Sequence, residues 1–364
     1  MRLWIFPLVM ITVLAGCQTA QPVTTDVRPS RKAKNIILMV GDGMGLTQVT
    51  AGLYANKNHL NLEMFPVVGL SKTSSADDLI TDSAAGATAF SAGEKTYNGA
   101  IALSVDSLPL VTILELAEQA GKSTGMVVTC EVTHATPACF IAHQPSRNMH
   151  EAIAADFLKT DIDLFIGGGM NYFARRIDQR NLIAELLSKD YLVMDWTVDL
   201  NSLDKTTRKN LAYFTAADKP LPYSKGRTYL PDASRFAATF LDNRSKEGFF
   251  LMIEGSQIDW GGHEMDGPYV ISEMLDFDRA IGQILEFAAA DGETLVIVTA
   301  DHETGGLAIT GKDDAGDLKT AFIYDHHTPA MVPVFAFGPG AEAFAGIYEN
   351  TALFTKMKNA YGWK

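Results

Sequence analysis

Apolar residues fall along this chain in two alternating patterns. Residues 35–40 are apolar after the first position, as in a strand buried on both faces, and 125–129, 164–166, 249–253, 295–299 and 332–337 repeat that pattern. Between them lie amphipathic stretches at 110–120, 177–187, 233–241 and 270–289. In the last of these, Ile271, Leu275, Ile281 and Leu285 recur at helical spacing. Strands alternating with helices predict an α/β fold, a three-layer α/β/α sandwich whose mostly parallel central sheet is covered on both sides. Residues 171–231 carry weaker signals and predict one helix, short strands and surface loops. The polar stretch Gly311-Lys312-Asp313-Asp314 predicts a loop leading towards a His pair. No internal repeat or low-complexity tract divides the chain, so 35–364 is expected to form one catalytic domain.

The N-terminus changes the picture of where the protein works. Arg2 supplies one positive charge, residues 3–14 are apolar, and Leu14-Ala15-Gly16-Cys17 reads as a lipoprotein cleavage box. A plain secretory signal is the competing reading, and the apolar run is too short for a spanning helix. Residues 1–17 are therefore expected to be a signal segment and 18–34 a flexible tether. Gln18 after the cysteine implies outer-membrane sorting in a Gram-negative host, with the membrane met only through a lipid on Cys17 and the protein facing the periplasm. Two cysteines remain, Cys130 and Cys139; a disulfide and two free buried thiols are both open, and neither cysteine stands in a metal-ligand spacing.

With 364 residues, 47% of them hydrophobic, the chain can bury a full core. Asp and Glu outnumber Lys and Arg by 43 to 30, which argues against a nucleic-acid partner. A small phosphate substrate stays possible if metal ions supply positive charge locally.

Candidate chemistry gathers where strands are expected to end, the ligand side of open α/β sheets. Gly41-Asp42-Gly43-Met44-Gly45 follows the first strand; alone it reads better as a tight turn with Asp as a helix cap. Asp82-Ser83 heads a run of small residues, where a serine can cap a helix or meet an incoming anion. His134-Ala135-Thr136-Pro137-Ala138, with Arg147 beyond it, offers a hard oxygen and a planar fork for phosphate. Glu254 to His263, Asp301-His302 and His326-His327 follow or precede later strands. A lone histidine is more often structural, but this set combines imidazoles and carboxylates as a multi-metal site does.

Taken together, these blocks resemble alkaline phosphatases in order and spacing from about Lys34 to the C-terminus. The chain is most similar to small bacterial members, cold-adapted ones included, in which a Trp follows a zinc-binding Asp. The resemblance implies two Zn²⁺ and one Mg²⁺. Asp259, His263 and His327 would hold one Zn²⁺, and Asp42, Asp301 and His302 the other. Asp42, Thr136 and Glu254 would hold Mg²⁺. Ser83 would be the nucleophile that becomes phosphorylated, Arg147 the phosphate clamp, and Asp82 the residue that orients it. His134 and Trp260 stand where other members have Asp and Lys, which bears on the Mg²⁺ site and on the grip on phosphate. His327 is preferred to His326 because it directly precedes Thr328. The implied activity is hydrolysis of phosphate monoesters of broad specificity by a homodimer. Two rival readings remain: a phosphodiesterase or sulfatase of the same superfamily, and a lipoprotein that binds metal or phosphate without catalysis. Neither Cys130 nor Cys139 has the Cys-x-Pro-x-Arg setting of a sulfatase.

Overall fold

The apolar run after Asn35 lies at the heart of a ten-stranded sheet in this computed structural model, which describes Met1 and residues 31–364. The expected signal segment, Cys17 and most of the tether lie outside the described residues. In chain order the strands are β1 (Asn35–Gly41), β2 (Val67–Lys72), β3 (Ser123–Glu131), β4 (Leu164–Gly168), β5 (Tyr191–Asp195), β6 (Asn210–Phe214), β7 (Phe249–Gly255) and β8 (Thr294–Thr299). Then come four short strands, β9 (Glu303–Thr304), β10 (Ala308–Lys312), β11 (Leu318–Ala321) and β12 (His327–Thr328), followed by β13 (Val332–Phe337) and β14 (Gly346–Glu349). The large sheet runs β14-β2-β13-β8-β1-β7-β3-β4-β6-β5. Its pairings are parallel except where β13 meets β2 and β8.

Every residue of β1, β3, β4, β7 and β8 is buried, as continuous apolar runs require of strands covered on both faces. The two-residue period of β1 divides its side chains between two cores. Ile36, Leu38 and Val40 face the helices Ser83–Ala92, Ile113–Gln119 and Ala352–Tyr361. Ile37 and Met39 face Leu46–Ala55, Leu230–Asp242 and the long Gly267–Asp291 helix. This is the three-layer α/β/α arrangement.

Two sequence expectations are corrected. The helix expected over 177–187 begins only at Leu182, because the Asn181 side chain accepts the Ala184 N–H at 3.1 Å and sets the start there. Ile177 stands 92% exposed outside it. The polar stretch after Gly311 is not a loop throughout: Gly311 and Lys312 end β10, which pairs antiparallel with β11. The Asp313 carboxylate accepts the N–H groups of Ala315 and Asp317 and so closes the turn. Among the described residues no helix is long and apolar enough to cross a membrane.

Candidate active site and metal centre

Four neighbouring parallel strands, β8, β1, β7 and β3, end on one side of the sheet and deliver the polar residues there. Asp42 follows Gly41 at the end of β1 and is fully buried. Gly43 has φ of 71°, and a Cβ on it would lie 2.8 Å from Asp259 Cα and 2.7 Å from Thr304 Oγ1. Only glycine allows this turn and lets the two acidic segments close over it. The Gly43 N–H donates to Asp301 Oδ1 at 3.2 Å.

Ser83 opens the wholly buried helix Ser83–Ala92. Its run of small residues has a steric cause: a Cβ on Gly86 would meet Asp301 at 3.2 Å, so the helix packs directly on a site carboxylate. Asp82 caps this helix with one oxygen, accepting the Ala85 N–H at 2.9 Å, and receives Arg147 Nη1 on the other at 2.9 Å. Arg147 and the helix that begins with Ser83 are thus tied through one carboxylate. Ser83 Oγ lies 3.3 Å from His302 Nε2, and His302 Nε2 lies 3.5 Å from Asp42 and 3.2 Å from Asp301.

Asp259 and His263 share a face of the helix Gln257–His263, one turn apart, at 3.4 Å. His263 Nε2 is 3.1 Å from His327 Nε2, and His327 Nε2 is 3.5 Å from Asp259. Both imidazoles are aimed from behind. His263 Nδ1–H donates to the Asp325 carbonyl at 2.6 Å, and His327 Nδ1–H to the Thr81 carbonyl at 2.8 Å. In its neutral form each imidazole then has its Nε2 lone pair facing the site, as a ligating histidine does.

The electrostatics point to missing positive charge. Burial, reinforced by Asp301, Asp259 and Glu254, holds the Asp42 carboxyl well above its ordinary range. Burial likewise pushes Glu254 up to about 7, and burial with Asp259 pushes Asp301 up to about 6. Asp259 goes the other way: burial opposes its charge, but His263, His302 and His327 override it. The hydrogen bond to Asp259 raises His263 to about 9, while burial and His327 keep His302 neutral. Asp42 Oδ1 and Oδ2, Asp301 Oδ2, Glu254 Oε1 and Thr136 Oγ1 are buried and lack a hydrogen-bond partner among the described residues. Such orphaned acceptors are what divalent cations satisfy. Three groups have donor atoms within 4.8 Å of one another: Asp259–His302–His327, Asp42–Asp301–His302 and Cys130–His134–Glu254. The donor sets fit metal binding.

A family model described as alkaline phosphatase matches residues 33–321. The chain belongs to the alkaline phosphatase family. Alkaline phosphatase 3 of Bacillus subtilis is 43% identical over 266 residues, 68% of this chain and 56% of that protein. The Escherichia coli alkaline phosphatase is 30% identical, with 96% of this chain and 90% of that protein covered. The alkaline phosphatase of the Antarctic bacterium TAB5 superposes with a TM-score of 0.86 at 41% identity, over 92% of this chain and 99% of that one. A variant of the TAB5 enzyme with one His replaced by Asp has Mg bound in its M3 site. The chain spans 56% and 65% of the length of the two Bacillus subtilis alkaline phosphatases it matches.

Within this family frame the structure brings together Asp42, Ser83, Asp259, His263, Asp301, His302 and His327. Thr136 and Glu254 are fully buried as well, Thr136 in the short helix Ala135–Ala138. His326 is exposed and pairs with Asp325, so His327 is the histidine that faces the site. His134 lies 3.4 Å from Arg147 Nη2 and edge-on to Trp260, with ring centroids 6.1 Å apart. Burial, then Arg147, pushes His134 down to about 3. The Lys219 ammonium stands 4.6 Å over the Trp260 ring. Cys130 and Cys139 are free buried thiols. The sequence reading placed Cys130 outside any ligand spacing; β3 instead brings its Sγ within 3.2 Å of Glu254 Oε2. Thr304 was missed as well. It donates to Asp259 and lies 3.3 Å from His302 Nδ1, and its place two residues after His302 was the available signal.

Proposed function

We propose that this protein hydrolyses phosphate monoesters through a phosphoserine at Ser83, releasing inorganic phosphate and an alcohol. The observation that carries the reading is Ser83 Oγ beside His302, a member of two donor groups, on a helix whose cap also holds Arg147. Asp259, His263 and His327 are assigned one Zn²⁺, and Asp42, Asp301 and His302 a second. Asp42, Thr136 and Glu254 are assigned the third cation, Mg²⁺ in the family scheme. When bound, these ions supply Lewis acidity to phosphoryl oxygens and lower the pKa of an attacking oxygen.

The chain's own residues do the rest. Ser83 Oγ gives up its proton to solvent and attacks phosphorus as the ester P–O bond breaks, and the alkoxide leaves and takes a proton from solvent. Arg147, pinned by Asp82, presents its fork to two non-bridging oxygens and offsets charge that builds in the transition state. The N-terminal end of the helix Ser83–Ala92, with its positive dipole end, favours the same anion. Water then attacks the phosphoserine and restores Ser83. A substrate with two negative charges matches this arrangement better than one with a single charge, so monoesters are favoured over diesters. The contacts described grip the phosphoryl group rather than the alcohol, which supports broad specificity. The same reading places the protein outside the cytoplasm, lipid-anchored through Cys17, as a homodimer. Incorporation of labelled fatty acid that persists in Cys17→Ala would remove the anchor from the scheme, and sedimentation of the mature chain as a monomer would remove the dimer.

The deciding assay is hydrolysis of a nitrophenyl monoester and the matching diester from about pH 6 to about pH 11, spanning the titration of metal-bound water. Monoester turnover that rises into alkaline pH, disappears on chelation and returns with zinc is expected. Ser83→Ala should abolish phosphate labelling of the protein. Labelling that survives the change moves the nucleophile elsewhere.

A further inference from the structure

Cys130 is the penultimate residue of β3 and fully buried. Its Sγ lies 3.2 Å from Glu254 Oε2, and together with His134 it forms a donor group whose atoms lie within 4.8 Å of one another. Two further atoms point to a ligand there. Glu254 Oε1 and His134 Nδ1 are both buried without a hydrogen-bond partner among the described residues, and Glu254 has no solvent exposure. Mg²⁺ takes oxygen donors in near-ideal octahedral geometry, whereas sulfur and imidazole favour borderline-soft ions such as Zn²⁺.

We propose that Cys130 makes the third cation site a mixed sulfur and carboxylate site that takes Zn²⁺ in preference to Mg²⁺. The inference rests on the assignment of a third cation at Glu254 made above, and it changes which ion that site selects. The Cys130 thiol donates to Glu254 Oε2 at 3.2 Å, a contact that a cation competing for both atoms replaces. Metal binding displaces the thiol proton to solvent and leaves a thiolate ligand. If His134 ligates through Nδ1, its ring proton sits on Nε2, and the 3.4 Å contact with Arg147 opens. Cys139 provides an internal control. Its sulfur contacts the Ala84 carbonyl at 3.2 Å and Thr88 Oγ1 at 3.3 Å, and it is not in the donor group.

The test loads the full chain with Co²⁺ and records its absorption, with cobalt counted per chain. A near-ultraviolet sulfur-to-cobalt charge-transfer band is expected in the wild type and in Cys139→Ser, and not in Cys130→Ser or Cys130→Ala. Competition dialysis should show Cys130→Ser shifting third-site preference from Zn²⁺ towards Mg²⁺ by about tenfold or more. Three cobalt ions bound without the band, or a band that survives in Cys130→Ser, overturns the proposal and leaves the phosphatase reading intact. A wild-type chain that binds no metal overturns both. Should neither Cys130 variant fold, the wild-type and Cys139→Ser spectra still decide whether sulfur is a ligand.

Discussion

Asp82 serves two structures at once, and the two can be separated by experiment. One oxygen caps the helix that begins with Ser83 and the other holds Arg147, each at 2.9 Å. The pair is largely shielded, with side chains 20% and 26% exposed. Asn caps helices as well as Asp does, so Asp82→Asn should leave the thermal midpoint nearly unchanged. It removes the charge that orients the guanidinium. A hydrogen bond to a charged group contributes about 1.5–3 kcal/mol, and Asn Oδ1 retains part of it, leaving a loss of about 1.4 kcal/mol. That corresponds to about a tenfold fall in kcat/KM for a phosphate monoester. Arg147→Ala removes the clamp itself and should cost about 10²–10³-fold, as loss of a transition-state donor does. Combining the two should add almost nothing to Arg147→Ala, giving a coupling of about 1.4 kcal/mol in the cycle. A double variant about tenfold worse than Arg147→Ala alone would falsify the claim that Asp82 acts through Arg147.

Three other outcomes are expected. Chelation should lower the thermal midpoint, and more so as pH rises. Asp42, Glu254 and Asp301 have folded-state pKa values raised above the unfolded ones, with Glu254 at about 7 and Asp301 at about 6. The metal-stripped fold therefore holds protons the unfolded chain has released, and its stability falls between about pH 4 and pH 7. A midpoint independent of pH in that window contradicts the clustering of these acids. Arg227→Met should destabilise by about 3–5 kcal/mol, because Glu273, no more than 2% exposed, loses its counter-charge and Asp276, equally buried, is left with Arg279 alone; calorimetry showing under about 1 kcal/mol excludes a buried ion cluster. Burial pushes Glu118 up to about 8, so its proton favours the fold most at acid pH and that support is lost from about pH 4.5 upward. Glu118→Gln should raise the midpoint at pH 8.5 by on the order of 2 °C relative to pH 5, and an equal change at both pH values goes against this account.

The strands legible in the sequence were those buried on both faces, because helices on both sides demand an unbroken apolar run. β1, β3, β4, β7, β8 and β13 all announced themselves in this way. β2 was not recognised: its burial is mixed, Val68 is 54% exposed, and its run carries Gly, Ser and Lys. β5 and β14 sit at the two sheet edges, where burial on one side leaves a shorter and more polar signature. The site was legible as residue types following strands. What stayed hidden had no residue type to show. The carbonyls of Thr81 and Asp325 aim His327 and His263, and any residue could supply them. Cys130 was hidden for another reason: it meets Glu254 across 124 positions of sequence, and only the parallel pairing of β3 with β7 brings them together.

That pairing explains why the polar cluster is tolerated. Asp42, Glu254 and Asp301 are completely or almost completely buried, and each lies in a strand with apolar neighbours on both faces or within two residues of its end. Left uncompensated, such carboxylates oppose folding, and their upward pKa shifts record that opposition. β1 carries Asp42 between β7 and β8, which hold the other acids, so the carboxylates cannot separate without breaking the two pairings at the middle of the sheet. Gly86 then lets the helix that begins with Ser83 lie against Asp301 with no side chain between them. Positions that disobey the rule of apolar interiors are held by those that obey it most strictly. A cation bound among these acids would relieve that opposition at the place where Ser83 and Arg147 are proposed to meet phosphate.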